Sequence, residues 1–155
     1  SQAGLHPDRV VFCESDRAEE VLSSMEEGLS FGGLSSVVGE LVRLSMTASR
    51  RLQLAAEKTG SMAIVLRRWR RQNEASDYGQ PTASTTRWRI STLPSERLPV
   101  AGVGRARWLA ELMRVKAGEC AEFEIGAADD TGRICLLPTS GDRADQTTRW
   151  RSLAG

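Results

Sequence analysis

Two short apolar runs stand about one helix apart in this chain, and the residues between them change from a period of two to a period of three and four. Gly33-Leu34-Ser35-Ser36-Val37-Val38-Gly39-Glu40 reads as a buried strand ending in a carboxylate. Ser45 or Thr47 can cap the helix that follows, Leu52, Ala55 and Ala56 line its inner face, and Gly60 stops it. Met62-Ala63-Ile64-Val65-Leu66-Arg67 is then a second buried strand. The pattern predicts a parallel βαβ unit, with ribbons 35–40 and 62–67 running the same way beneath an alanine-lined helix. The fold class is α/β.

Before this unit, Arg9-Val10-Val11-Phe12-Cys13-Glu14 predicts a short strand after an X-Pro-Asp turn. Asp16, with Glu19 three residues on, has the form of a capping box. Ala18, Val21, Leu22, Met25 and Leu29 recur at helical spacing, and Gly32-Gly33 closes that helix. Its glutamates form a solvated face.

After the unit the text turns polar. Residues 68–84 predict an exposed, mobile loop that opens on Arg67-Arg68-Trp69-Arg70-Arg71. The last third predicts β structure: a strand over 86–91, a linker from Leu93 to Gly104, a strand from Arg107 to Val115, and strands 122–125 and 133–137 flanking the turn Asp129-Asp130-Thr131-Gly132. Residues 138–155 read as a polar tail. Thr147-Thr148-Arg149-Trp150-Arg151 echoes Thr85-Thr86-Arg87-Trp88-Arg89, and one echo makes no repeat protein.

Composition narrows the class. The 155 residues are 40% hydrophobic and 26% charged, values for one globular domain with a proper core. No apolar run reaches the roughly 18 residues of a membrane span, and the start lacks the blocks of a signal peptide. The start also lacks an initiator Met, as a fragment or a processed chain does. Cys13, Cys120 and Cys135 are odd in number and far apart, which fits reduced thiols in a cytoplasmic protein. The net charge of +1 selects no partner.

The residue inventory argues against an independent enzyme. The single histidine, His6, sits beside a proline near the chain start, so neither a catalytic triad nor a histidine-based metal site is expected. No Gly-x-x-x-x-Gly-Lys-Ser/Thr cradle for phosphate occurs. No catalytic residue, cofactor or metal is therefore assigned. Glu40 keeps two readings, an acid at the carboxyl end of a parallel strand where α/β folds hold ligands, or a strand-end acid facing water.

All four tryptophans directly follow an arginine. Arginine beside an aromatic ring suits single-stranded nucleic acid through phosphate contact and base stacking. In a strand, however, Arg-Trp-Arg puts the ring on one face and both guanidiniums on the other, so Trp88 and Trp108 are expected in the core. Arg67, Arg68, Trp69, Arg70 and Arg71 form the candidate contact surface for DNA or a protein partner, with a structural role equally open to Trp69 at the strand exit.

Gly4 to Phe12, the helix Asp16–Leu29, Val37-Val38-Gly39-Glu40, Ala48-Ser49-Arg50-Arg51-Leu52-Gln53-Leu54-Ala55-Ala56-Glu57-Lys58, Thr86-Arg87-Trp88-Arg89 and Gly104-Arg105-Ala106-Arg107-Trp108 together resemble the ImuA family. These are RecA-like accessory proteins of inducible mutagenesis. The resemblance covers residues 4–137 and implies a single RecA-like three-layer domain, parallel strands first and antiparallel strands last, with the phosphate-loop segment missing. It places Glu40 at the Walker B acid and 68–84 where a second DNA-binding loop would lie.

By the same resemblance the chain is a non-catalytic adaptor of SOS-induced translesion synthesis. Its implied partners are an ImuB-like relative of Y-family polymerases and an error-prone C-family DNA polymerase, with RecA and single-stranded DNA as further contacts. A SulA-like cell-division inhibitor and a trimmed RecA-like ATPase are the alternatives. A missing central strand would leave two open edges between 62–67 and 86–91. Either the gap closes by direct pairing, or a second copy supplies it in a homo-oligomer.

Overall fold

The computed structural model describes residues 6–69, 79–129 and 132–137. They fall into two compact units, Val11–Ser84 and the remainder. The chain is mixed α/β, with one parallel and one antiparallel sheet.

In the first unit, helix α1 (Ala18–Phe31) leads into strand β1 (Ser36–Leu41), helix α2 (Met46–Thr59) and strand β2 (Met62–Arg67). Strands β1 and β2 pair in parallel, Ser36 opposite Met62 through Leu41 opposite Arg67, as the two apolar runs predict. Ser45 is the cap of α2, its hydroxyl accepting from the Ala48 N–H at 3.1 Å. Gly32 and Gly60 end the two helices in the left-handed conformation, with φ of 74° and 73°, where a side chain would be strained.

Both helices pack on one face of this sheet. Met25, Leu29, Leu41, Leu44, Leu52 and Ala55 form the core, with Val37, Ala63 and Val65 packed against it. Burying such side chains contributes about 1.5–3 kcal/mol each for the larger ones. Gly39 admits α1 to close range, because a Cβ there would lie 2.2 Å from Met25 Sδ. Thr59 ties the two helix ends by donating to the Leu29 carbonyl at 2.8 Å, and Arg51 pairs with Glu26 between the helices.

Within this unit, among the described residues, no element covers the opposite face of the sheet. Val38, Met62, Ile64 and Leu66 are 54%, 61%, 38% and 48% exposed. Within this unit the two strands are thus half-buried, where continuous apolar runs predict burial on both faces.

Two predicted features upstream are corrected. Residues 9–14 form no strand: Pro7–Arg9 is a 3₁₀ turn, and Val11 and Phe12 are exposed. A run of β-formers becomes a strand only when a neighbour completes its ladder, and none of the described strands pairs with it. The cap of α1 is Arg17 rather than Asp16, and Ser15 instead accepts from the Arg17 N–H and donates to Glu20.

The second unit is an antiparallel sheet in the order β3 (Thr86–Leu93), β4 (Arg107–Val115), β5 (Ala121–Gly126) and β6 (Cys135–Leu136). The 107–115 strand matches its predicted bounds, although Leu109-Ala110-Glu111-Leu112-Met113 has a helical look. In the β3–β4 connection Gly104 is required by contact, since a Cβ would meet the Glu96 carbonyl oxygen at 1.8 Å.

Arg-Trp-Arg does divide across the faces of this sheet. Arg89 pairs with Glu111 on one side, and Trp88 meets Phe123 on the other with ring centroids 6.0 Å apart. Trp88 and Trp108 are nevertheless not core residues: Trp88 is 47% exposed and Trp108 half-buried, because no α-helix covers this sheet within its unit among the described residues. The predicted 138–155 tail lies outside the described residues.

Candidate contact site at the carboxyl end of the parallel strands

Strand parity decides where each predicted contact residue points. Along β2, Ala63, Val65 and Arg67 alternate with the exposed Met62, Ile64 and Leu66. Arg67 therefore shares the half-buried, helix-facing side, and Arg68 follows on the open side.

The Arg67 guanidinium is held within the unit. Its Nε and one terminal nitrogen donate to the Val42 carbonyl, at 3.3 and 3.0 Å. Its plane also lies over the Trp69 ring, 5.0 Å from the centroid, a cation–π contact. Val42 is the first residue beyond β1, so one arginine fastens the end of β1 to the exit of β2.

Arg68 behaves differently. Its Nε lies 3.6 Å from Glu40 Oε1, with both side chains well exposed. Glu40 is the register partner of Leu66, on the face that carries Val38 and Ile64. The acid thus faces solvent with a basic neighbour. Among the described residues no group of three or more His, Cys, Asp or Glu side chains converges as a metal site.

A shallow groove of about 320 Å³ opens nearby, lined by Arg43, Leu44, Ser45, Met46, Gln80 and Pro81. Residues 70–78 of the predicted 68–84 loop lie outside the described residues, and its last residues are held against α2. Thr82 is buried, and the Ala83 N–H donates to Ser49 Oγ at 2.9 Å, where Ser49 itself donates to the Met46 carbonyl. Ser49 was legible only as a small helix residue; a buried hydroxyl with both functions used is the reason 82–84 stays down.

Arg67, Arg68 and Trp69 are thus brought together with Glu40 and Val42 at one end of the sheet, while Arg70 and Arg71 lie outside the described residues. The Val42 carbonyl has no sequence signature, because any residue supplies one. The parity of Arg67 is visible in the sequence and would have separated it from Arg68. The arrangement can present one exposed guanidinium, with an exchangeable counter-ion, beside an anchored aromatic ring.

No family model matches the chain. It is 37% identical over 121 residues to Protein ImuA of Caulobacter vibrioides strain NA1000 / CB15N, an alignment taking in 74% of this chain and 49% of that protein. The corresponding protein of a second strain of the same species gives the same figures. The chain spans about half the length of the curated relatives it matches.

Proposed function

Because the chain belongs to the ImuA family, we propose that it acts as a non-catalytic accessory protein in mutagenic repair of damaged DNA. In this reading it is an adaptor of SOS-induced translesion synthesis in the cytoplasm. It would engage an ImuB-like relative of Y-family polymerases, alongside an error-prone C-family polymerase, with RecA or single-stranded DNA as further contacts. In the same reading each unit is part of a RecA-like fold.

The observation that carries the reading is the 37% identity to Protein ImuA. The site supports it by its form: an exposed Arg68 and a fixed Trp69 at the mouth of an arginine run suit docking better than bond-breaking.

Two measurements test this. Deleting the encoding gene is expected to abolish damage-induced mutation while leaving spontaneous mutation unchanged; unchanged induction would end the proposal. Reversing charge at Arg68, Arg70 and Arg71 together is expected to abolish capture of the ImuB-like partner or retention on single-stranded DNA. If neither changes, the contact surface lies elsewhere.

A further inference from the structure

We propose that Arg67 is a positioning residue of the contact run rather than one of its contact residues. The inference rests on the reading that the run at the exit of β2 meets the partner, and it assigns different roles to two neighbouring arginines.

Arg67 is the last residue of β2, and its side chain emerges on the helix-facing side with Ala63 and Val65. Two of its nitrogens are taken by the Val42 carbonyl and its flat face by the Trp69 indole. A carbonyl gripped through two donors fixes the guanidinium plane, and the plane fixes the ring lying on it. The grip thereby holds the ring of Trp69, the residue next to Arg68 in the run. Arg68 has no such grip: Glu40 is an exposed counter-ion at 3.6 Å, which a phosphate or carboxylate from a partner can replace. Sequence treats the two as members of one charge run; geometry makes Arg67 the hinge-pin and Arg68 the hand.

Arg67→Lys separates charge from grip, since lysine keeps the charge but neither the fork nor the flat face. In the full chain, Arg67→Lys and Arg67→Gln are both expected to raise acrylamide quenching of tryptophan fluorescence. The change should vanish in a Trp69→Phe background, which assigns it to that ring. Binding to fluorescein-labelled poly(dT) is expected to weaken about threefold to tenfold in both variants, the size of one or two lost hydrogen bonds. The slope of log affinity against log salt should stay at the parental value. Arg68→Gln is expected to lower that slope by about 0.7, as losing one phosphate contact on a single strand does.

If Arg67→Lys binds and fluoresces like the parent, or if Arg67→Gln lowers the salt slope as Arg68→Gln does, Arg67 is no positioning residue. A fluorescence change without a binding change reduces the grip to a structural one and also overturns the proposal. If Arg68→Gln and Arg68→Glu leave poly(dT) binding untouched while Arg67→Lys weakens it, the proposal stands and the assignment of Arg68 as DNA contact fails instead. Should no variant alter poly(dT) binding, the role assigned to Arg67 falls together with the DNA contact.

Discussion

Arg89 and Glu111 face each other as register partners across β3 and β4, and the guanidinium donates through Nε and a terminal nitrogen to both carboxylate oxygens. This fork-to-fork pair spans the polar face of the antiparallel sheet, with Arg107 and Glu124 joined a short way along it at 2.6 Å. The hydrogen bond from Arg89 holds the Glu111 carboxyl below the usual carboxylate range; partial desolvation opposes it and the arginine charge adds to it.

Acid should therefore weaken this sheet. A carboxyl whose pKa is lower folded than unfolded contributes stability that is fully present above its unfolded pKa, and that contribution is lost as pH falls through the folded value. Glu111→Gln is expected to flatten the fall of thermal stability across the acid range, followed by circular dichroism. A variant whose acid profile superimposes on the parent's would remove Glu111 from the account.

At Gly39 the expectation is a conditional cost. Alanine there brings a Cβ against the Met25 sulfur, which is buried and has little room to retreat. Gly39→Ala should lose about 1–3 kcal/mol by urea unfolding, the range for overpacking. Met25→Ala alone should lose about 2–5 kcal/mol. In the double variant the glycine's share should disappear, so simple addition of the two costs would show that the contact is not the cause.

The cap of α2 gives a cleaner number. Ser45→Ala removes the acceptor for the Ala48 N–H and should cost about 1 kcal/mol, while Ser45→Asp should retain most of it. Equal loss in both variants would mean that the hydroxyl acts by something other than capping.

Glu40 and Arg68 are exposed, so their pair is expected to contribute at most about 1 kcal/mol to stability. Glu40→Gln should leave the melting temperature within about 4 °C of the parent, yet bind poly(dT) more tightly, because the internal competitor for Arg68 is gone. Weaker binding in this variant would contradict that competition.

What the residues disclosed in advance was the local grammar. The apolar runs at 35–40 and 62–67, the hydroxyl at Ser45 and the glycines at 32 and 60 each specify conformation through neighbours in the chain, and the strands, the cap and the helix ends stand within a residue of where they were expected. The 107–115 strand shows the limit of that grammar, since its helical look yields to cross-strand pairing with β3 and β5 on both sides. Val10 to Phe12 shows the converse: β-formers without a ladder remain irregular. Burial was harder still, because alternation says which residues share a face but not what lies over it. Hence Trp88, Val38 and Ile64 look like core in one dimension and stand partly in water in three.

At the site the same distinction applies. A run of arginines announces charge, and charge alone makes Arg67 and Arg68 equivalent. Their difference comes from a backbone oxygen at Val42 and a ring at Trp69, partners that only folding brings within reach.

The open side of the β1–β2 ribbon pair has a practical consequence for anyone handling the purified chain. Four greasy side chains in adjacent register positions make a sticky plate, so the material should light up hydrophobic dyes, cling to column resins and cloud as it is concentrated. Mild detergent, rather than added salt, is the remedy this plate calls for.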